Sequence, residues 1–197
     1  MDKLRKLINE IKEYGNKNNV PIMSEETINT INKIINDNEI HSILEIGTAI
    51  GYSTICFASN KCVNNITSIE RDNDRFDIAV SNVKLSELNN IVLIHGDALE
   101  VNINDKFDLI IIDAAKSQNM NFLNKYSSNL NKNGIIIIDN LSFHGYVGKS
   151  SEIKSRNLRQ MVRKIEKFID YLKNNDEYNV EFIEVGDTIG VCKKKNI

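Results

Sequence analysis

The feature that most constrains this chain is an alternation. Short runs of Ile, Leu and Val are separated by longer polar stretches with helical spacing. The runs fall at Ser42–Ile46, Ile66–Glu70, Ile91–His95, Phe107–Ile112, Ile135–Asp139, Tyr178–Val185 and Thr188–Lys193. Several are nearly continuous apolar residues, as expected of strands covered on both faces. Helix-like stretches lie between them, at Tyr52–Ser59, Asn73–Leu88, Gln118–Leu130 and Lys154–Asn174. Strand and helix in turn imply an α/β fold built on a doubly wound, mostly parallel sheet. The last two runs are joined by Gly186-Asp187, a tight-turn sequence that predicts an antiparallel hairpin. Ahead of the first run, Met1–Tyr14 and Glu25–Asp37 read as helices, with Ser24 as the cap of the second. There is no repeat and no linker-like stretch, and 197 residues suit a single domain: a helical segment over 1–40, then a core over 41–197.

Bulk chemistry narrows the class. With 26% charged residues and a net charge of −2, no global basic excess marks a nucleic-acid binder, so any such surface must be local. Cys56, Cys62 and Cys192 form no CxxC pair. Their odd number, and the absence of an apolar leader, predict reduced thiols in a cytoplasmic protein. No apolar stretch approaches the ~18 residues of a membrane span.

Ligands of open α/β sheets bind beyond the carboxyl ends of the strands, so the residues that follow each strand are the candidates. The first strand runs into Glu45-Ile46-Gly47-Thr48-Ala49-Ile50-Gly51-Tyr52-Ser53. Gly47 permits a sharp turn near a ligand, and Gly51 permits close packing where the next helix starts. The spacing is GxxxG, not the GxGxxG that cradles a dinucleotide diphosphate, which disfavours a nicotinamide-dependent oxidoreductase. Glu70 ends the second strand, where a carboxylate can accept from both ribose hydroxyls and repels a 2′-phosphate. Asp97-Ala98 follows the third and is placed to meet an adenine amino group. Asp113 follows the fourth strand; Asp139-Asn140 ends the fifth. If these strands are neighbours, about 4.8 Å apart, two carboxylates and an amide oxygen meet at one point. Such hard oxygen donors suit Mg²⁺ or a similar cation, and without one the carboxylates repel each other.

Together, Leu44–Ser53, Phe107–Lys116 and Gly134–Asn140 resemble the cation-dependent class I S-adenosylmethionine O-methyltransferases, the family of the catechol and caffeoyl-CoA enzymes. The resemblance spans about Val20 to Val191. It implies a Rossmann-like, seven-stranded sheet with a C-terminal antiparallel hairpin. It also implies S-adenosylmethionine bound by Met23, Glu45, Gly47, Ser53, Glu70, Asp97, Ala98 and Asp113, and a divalent metal on Asp113, Asp139 and Asn140. Lys116 and Asp113 would then be catalytic, Lys116 as charge or as base beside the reacting oxygen. A homodimer is implied as well. Two segments depart from the family pattern: Leu141-Ser142-Phe143 replaces a Val-Leu-Trp or Val-Leu-Phe type, and Gly186-Asp187-Thr188 replaces Gly-Asp-Gly.

The metal favours acceptors with two adjacent oxygens. Catechols have them, and so does 5-hydroxyuridine. Pro21-Ile22-Met23, the Gly47–Ser53 segment, the Asp113–Lys116 tetrad and the basic stretch Arg156–Lys164 are similar to the bacterial tRNA 5-hydroxyuridine methyltransferases, which make 5-methoxyuridine at the wobble position. From Lys149 to Lys173, eight Lys/Arg face three acids. Arg156, Arg159 and Arg163 share one helix face, with Lys164 beside them, a spacing that can follow a phosphate backbone. The same pattern also describes an ordinary solvated helix face. Phe143, His144 and Tyr146, just past the metal ligands, are placed either to stack on an unstacked anticodon-loop base or to fill the core. A tRNA anticodon loop and a small phenol therefore both stay open as the acceptor, and a non-catalytic RNA-binding protein of the same fold is the third alternative.

Overall fold

A computed structural model describes residues 2–195. Seven strands form one mixed sheet in the order β3-β2-β1-β4-β5-β7-β6, the Rossmann-like arrangement expected of the chain. By its internal contacts the chain divides into two compact units, Met1–Ile103 and Asn104–Ile197.

The first unit holds α1 (Asp2–Lys17), α2 (Glu25–Asp37), β1 (Ser42–Ile46), α3 (Tyr52–Ala58), β2 (Asn65–Glu70), α4 (Asn73–Ser86) and β3 (Ile91–His95). Both β1–β2 and β2–β3 pair in parallel, with Glu45 opposite Ser68 and Glu70 opposite His95. α2 starts where expected: the Ser24 hydroxyl accepts from the Thr27 N–H at 3.1 Å, a cap whose loss costs about 1 kcal/mol. Its Ile28, Ile31 and Ile35 recur at helical spacing and are buried, as are Ile43, Leu44 and Ile46 of β1. Burial of each such side chain contributes roughly 1.5–3 kcal/mol. Gly47 and Gly51 have φ of 106° and 83°. For Gly51 the backbone, not the packing, demands glycine: an added Cβ would meet Ala79 at an ordinary 3.6 Å, but the left-handed φ would strain any side chain.

The second unit holds β4 (Phe107–Ile112), α5 (Asn119–Tyr126), β5 (Leu130–Ile138), α6 (Arg156–Asn174), β6 (Tyr178–Ile183) and β7 (Ile189–Lys194). β4 and β5 are parallel; β7 runs antiparallel to β5 and to β6, giving the expected terminal hairpin. The apolar runs Leu109–Ile112 and Ile135–Ile138 are buried, as expected of strands covered on both faces. β5 begins at Leu130, five residues before its apolar run. Phe107 pairs with Leu130, then Leu109 with Ile135, so Asn131–Gly134 form an irregular insertion in the ladder. Polar Asn and Lys hide this start from a hydrophobicity reading. Gly134 is required there, because a Cβ would fall 2.7 Å from the Leu130 side chain and 3.0 Å from the Asp108 carbonyl oxygen. α6 begins at Arg156, capped by Ser155, and buries Val162, Ile165, Phe168 and Leu172. No helix among the described residues is long and apolar enough to cross a membrane.

Candidate active site

In the first unit, the candidate cofactor residues converge on the turns after β1, β2 and β3. The Glu45 side chain is fully buried, and hydroxyls surround it. Ser53 Oγ and Ser68 Oγ each donate to it at 2.6 Å, and Thr54 Oγ1 donates to Oε2 as well. A buried carboxylate is tolerated only with such partners, and these fix its position. Glu70 is also buried and is held by backbone N–H groups. Ala49 N donates to Oε2 at 2.8 Å; Arg71 N and Asp72 N donate to Oε1 at 3.0 and 2.9 Å. Glu70 thereby pins the glycine turn that follows β1 to the end of β2. Asp97 Oδ1 accepts from the Leu99 N–H at 2.8 Å, and Oδ2 lies 3.9 Å from Arg71 Nη1. Ala98 and Met23 are buried, at 7% and 5% exposure, with Met23 just ahead of α2.

In the second unit, Asp113 and Asp139 each follow the last paired residues of two adjacent parallel strands, Ile112 and Ile138. The Asp139 N–H donates to the Ile112 carbonyl at 3.1 Å, which continues the ladder to the strand tip. Asn140 is left-handed, with φ of 61°, and its N–H donates to Asp139 Oδ1 at 2.7 Å. Lys116, at the start of a short 3-10 turn, reaches back to form a charged hydrogen bond with Asp113 Oδ1. Burial, with the Asp113 charge beside it, pushes the Asp139 carboxyl up to about 7, against the downward pull of Lys116 and the Asn140 N–H. Burial is the larger cause, and the charge of the neighbouring carboxylate adds to it. Among the described residues no group of three or more His, Cys, Asp or Glu side chains could hold a metal. The candidate set here is two carboxylates with one amide oxygen. A hard dication with water completing its shell fits that donor chemistry.

The family model for O-methyltransferases matches residues 1–195. The chain belongs to the O-methyltransferase family. It is an enzyme of the class expected from its motifs, an S-adenosylmethionine-dependent O-methyltransferase. A solved Staphylococcus aureus structure, described as a candidate caffeoyl-CoA O-methyltransferase, matches this methyltransferase with a TM-score of 0.90 and 37% identity over 95% of this chain and 92% of that one. An O-methyltransferase from Bacillus cereus, solved in complex with SAH, shares the fold with a TM-score of 0.82 at 24% identity, covering 96% of this chain and 91% of its own. The caffeoyl-CoA O-methyltransferase of Populus kitakamiensis is 25% identical over 195 residues, 93% of this chain and 82% of its own length.

The methyltransferase's α6 carries Arg156, Arg159 and Arg163 on the face opposite its buried stripe; Arg156, Arg163 and Lys164 are exposed and Arg159 is half-buried. One of the local acids, Glu166, is turned inward, accepting from the Gly148 N–H at 2.9 Å. Sequence reasoning missed three residues here. Thr54 and Ser68 complete the shell of Glu45. A serine within the apolar strand Ile66-Thr67-Ser68-Ile69 was the signal for the second. Asp187, read only as a turn residue, binds the loop beyond the candidate metal ligands, and a turn aspartate gives no hint of that reach.

Proposed function

We propose that this methyltransferase methylates the hydroxyl of 5-hydroxyuridine at the wobble position of tRNA, giving 5-methoxyuridine. The observation behind this reading is the pair Asp113 and Asp139 at neighbouring strand tips, with Asn140 beside them and the Asp139 carboxyl pushed up to about 7. Two converging carboxylates with an amide suit a cation, and a cation there suits an acceptor with two adjacent oxygens. Asp113, Asp139 and Asn140 would hold a divalent ion such as Mg²⁺, which supplies positive charge that lowers the pKa of the acceptor hydroxyl. S-adenosylmethionine supplies the methyl group. Glu45, Gly47 and Ser53 would hold its methionine part, Glu70 the ribose and Asp97-Ala98 the adenine, with Met23 and Asp113 as its further contacts.

The chain's own groups do the rest. Lys116 sits against Asp113, so its ammonium is on hand to stabilise the developing oxyanion, or to accept the proton in its neutral form. Alignment of the two reactants is the main catalytic demand of an in-line displacement; the fixed turns after β1 and β2 would serve the cofactor, and the strand tips of β4 and β5 would serve the acceptor. The face of Arg156, Arg159, Arg163 and Lys164 would follow the anticodon-arm phosphates. We propose that the enzyme works in the cytoplasm as a homodimer and that its two compact units act as one catalytic domain.

A second reading is favoured by the caffeoyl-CoA names of its relatives: methylation of a small catechol-like phenol by the same chemistry. Nucleoside mass analysis of tRNA from a strain lacking the gene tests the choice. Accumulated 5-hydroxyuridine with loss of 5-methoxyuridine is expected. Unchanged wobble uridines, together with turnover of caffeoyl-CoA by the purified protein, would overturn the tRNA reading.

A further inference from the structure

The segment just beyond the candidate metal ligands is the most strained stretch of backbone in the second unit. Asn140, Phe143 and His144 have φ of 61°, 46° and 56°, and Gly145 and Gly148 are left-handed too. Asn tolerates this region, but a bulky Phe there is a genuine outlier. Strain of this kind persists only where surrounding contacts over-determine it, and it clusters at ligand clamps.

At the centre of the stretch, one side chain supplies such contacts. Asp187, in the turn of the β6–β7 hairpin, accepts from the Ser142 hydroxyl through Oδ1. Both of its oxygens lie 2.8 Å from the donating His144 N–H. The hairpin backbone adds two more bonds: Ser142 N donates to the Asp187 carbonyl at 3.0 Å, and Leu141 N to the Thr188 carbonyl at 2.9 Å. The His144 ring lies close as well, with Nδ1 3.5 Å from Oδ2. The Asp187 side chain is 15% exposed. The hairpin turn itself is strained to reach this position, since Thr188 sits at φ 59°. The loop so held presents a pair of rings, Phe143 and Tyr146, with centroids 6.4 Å apart; Tyr146 is 40% exposed.

We propose that Asp187 is a positioning residue for the acceptor. It locks residues 141–147 so that Phe143 and Tyr146 form a rigid wall, against which a planar acceptor ring packs as its oxygens reach Asp113, Asp139 and Asn140. Aromatic faces at a fixed spacing suit any flat ring, whether nucleobase or phenol. The inference rests on the methyltransferase reading for its acceptor, but the clamp itself does not.

Asp187→Ala, Asp187→Asn and Ser142→Ala in the full chain test it by two independent readouts. Chymotryptic cleavage after Phe143 or Tyr146, mapped by mass, reports the clamp without any ligand. Cleavage at least ~10-fold faster in Asp187→Ala is expected, with smaller increases in the other two variants. The second readout is steady-state kinetics with whichever of two probes the wild type turns over, a 5-hydroxyuridine anticodon stem-loop or caffeoyl-CoA. An acceptor KM raised ~10-fold is expected, with kcat and S-adenosylmethionine affinity within about twofold; Asp187→Asn keeps one acceptor oxygen for Ser142 and restores part of the loss. Unchanged cleavage in all three variants overturns the clamp. Faster cleavage with unchanged acceptor KM overturns the positioning role. Equal losses in KM, kcat and cofactor affinity would mark Asp187 as a general fold contact and also overturn it. If neither probe is turned over, the functional reading fails, and the cleavage rates still decide the clamp.

Discussion

The two halves of the chain treat buried carboxylates in opposite ways. In the first, Glu45 is surrounded by the hydroxyls of Ser53, Thr54 and Ser68, and Glu70 by three backbone N–H groups. Their charge is matched by the chain's own donors. In the second, Asp113 and Asp139 stand at adjacent strand tips with Lys116 and one N–H for compensation, and the Asp139 carboxyl is pushed up to about 7. The first half is finished on folding, whereas the second is electrostatically incomplete and suited to a cation. Hydrogen-bond saturation thus separates the two pairs of carboxylates.

The largest expected effect breaks the second half alone. Asp113→Ala or Asp139→Ala should lower methyl transfer by at least ~100-fold, since it removes a metal-holding group, while calorimetry finds S-adenosylmethionine binding partly kept in Asp113→Ala and within a few-fold of wild type in Asp139→Ala. Full activity of either variant in excess chelator would remove the metal from the mechanism.

The mirror experiment breaks the first half. Glu45→Gln replaces the carboxylate that accepts from the Ser53, Thr54 and Ser68 hydroxyls, and should cost roughly 2 kcal/mol of unfolding free energy and weaken S-adenosylmethionine about tenfold. Metal affinity should not change. A loss of metal binding in this variant would deny that the halves are independent.

The pH response sharpens the contrast. Between its ordinary 3.8 and about 7, the folded chain holds a proton on Asp139 that the unfolded chain has released. Stability of the metal-free protein should therefore fall as pH rises through that window and level off above it. Metal affinity runs the other way, weakening roughly tenfold per pH unit below 7 because the ion needs the carboxylate. Asp139→Asn should flatten the stability profile, which thermal melts from pH 4 to 8 would detect.

The smallest effect concerns the surface. Arg159→Glu should weaken tRNA binding several-fold and lessen its salt dependence, with cofactor affinity unaltered. Equal tRNA affinity in filter binding would sever the α6 face from the acceptor.

Much of this was readable in the sequence because it depends on order along the chain. Nearly continuous apolar strands marked β1, β4 and β5, and the carboxyl ends of the strands pointed to Glu45 and Glu70 within them and to Asp113 and Asp139 just past them. What escaped depends on contacts between distant segments. Ser68 reaches Glu45 because β1 and β2 pair in register. Asp187 meets Ser142 across 45 residues because β7 lies against β5. The early start of β5 was hidden because Asn131–Gly134 bulge out of the ladder and carry no hydrophobic pattern. The role of Gly51 was misjudged for a similar reason: its positive φ belongs to the turn, not to its composition.

The most direct test is to count the ion. Titration of the wild-type chain with Mn²⁺, followed by electron paramagnetic resonance at pH 8, should show one bound ion per chain. In Asp139→Ala that ion should be lost, while Glu45→Gln keeps it. No bound ion in the wild type, or an ion retained with unchanged affinity in Asp139→Ala, would contradict the cation site at the tips of β4 and β5.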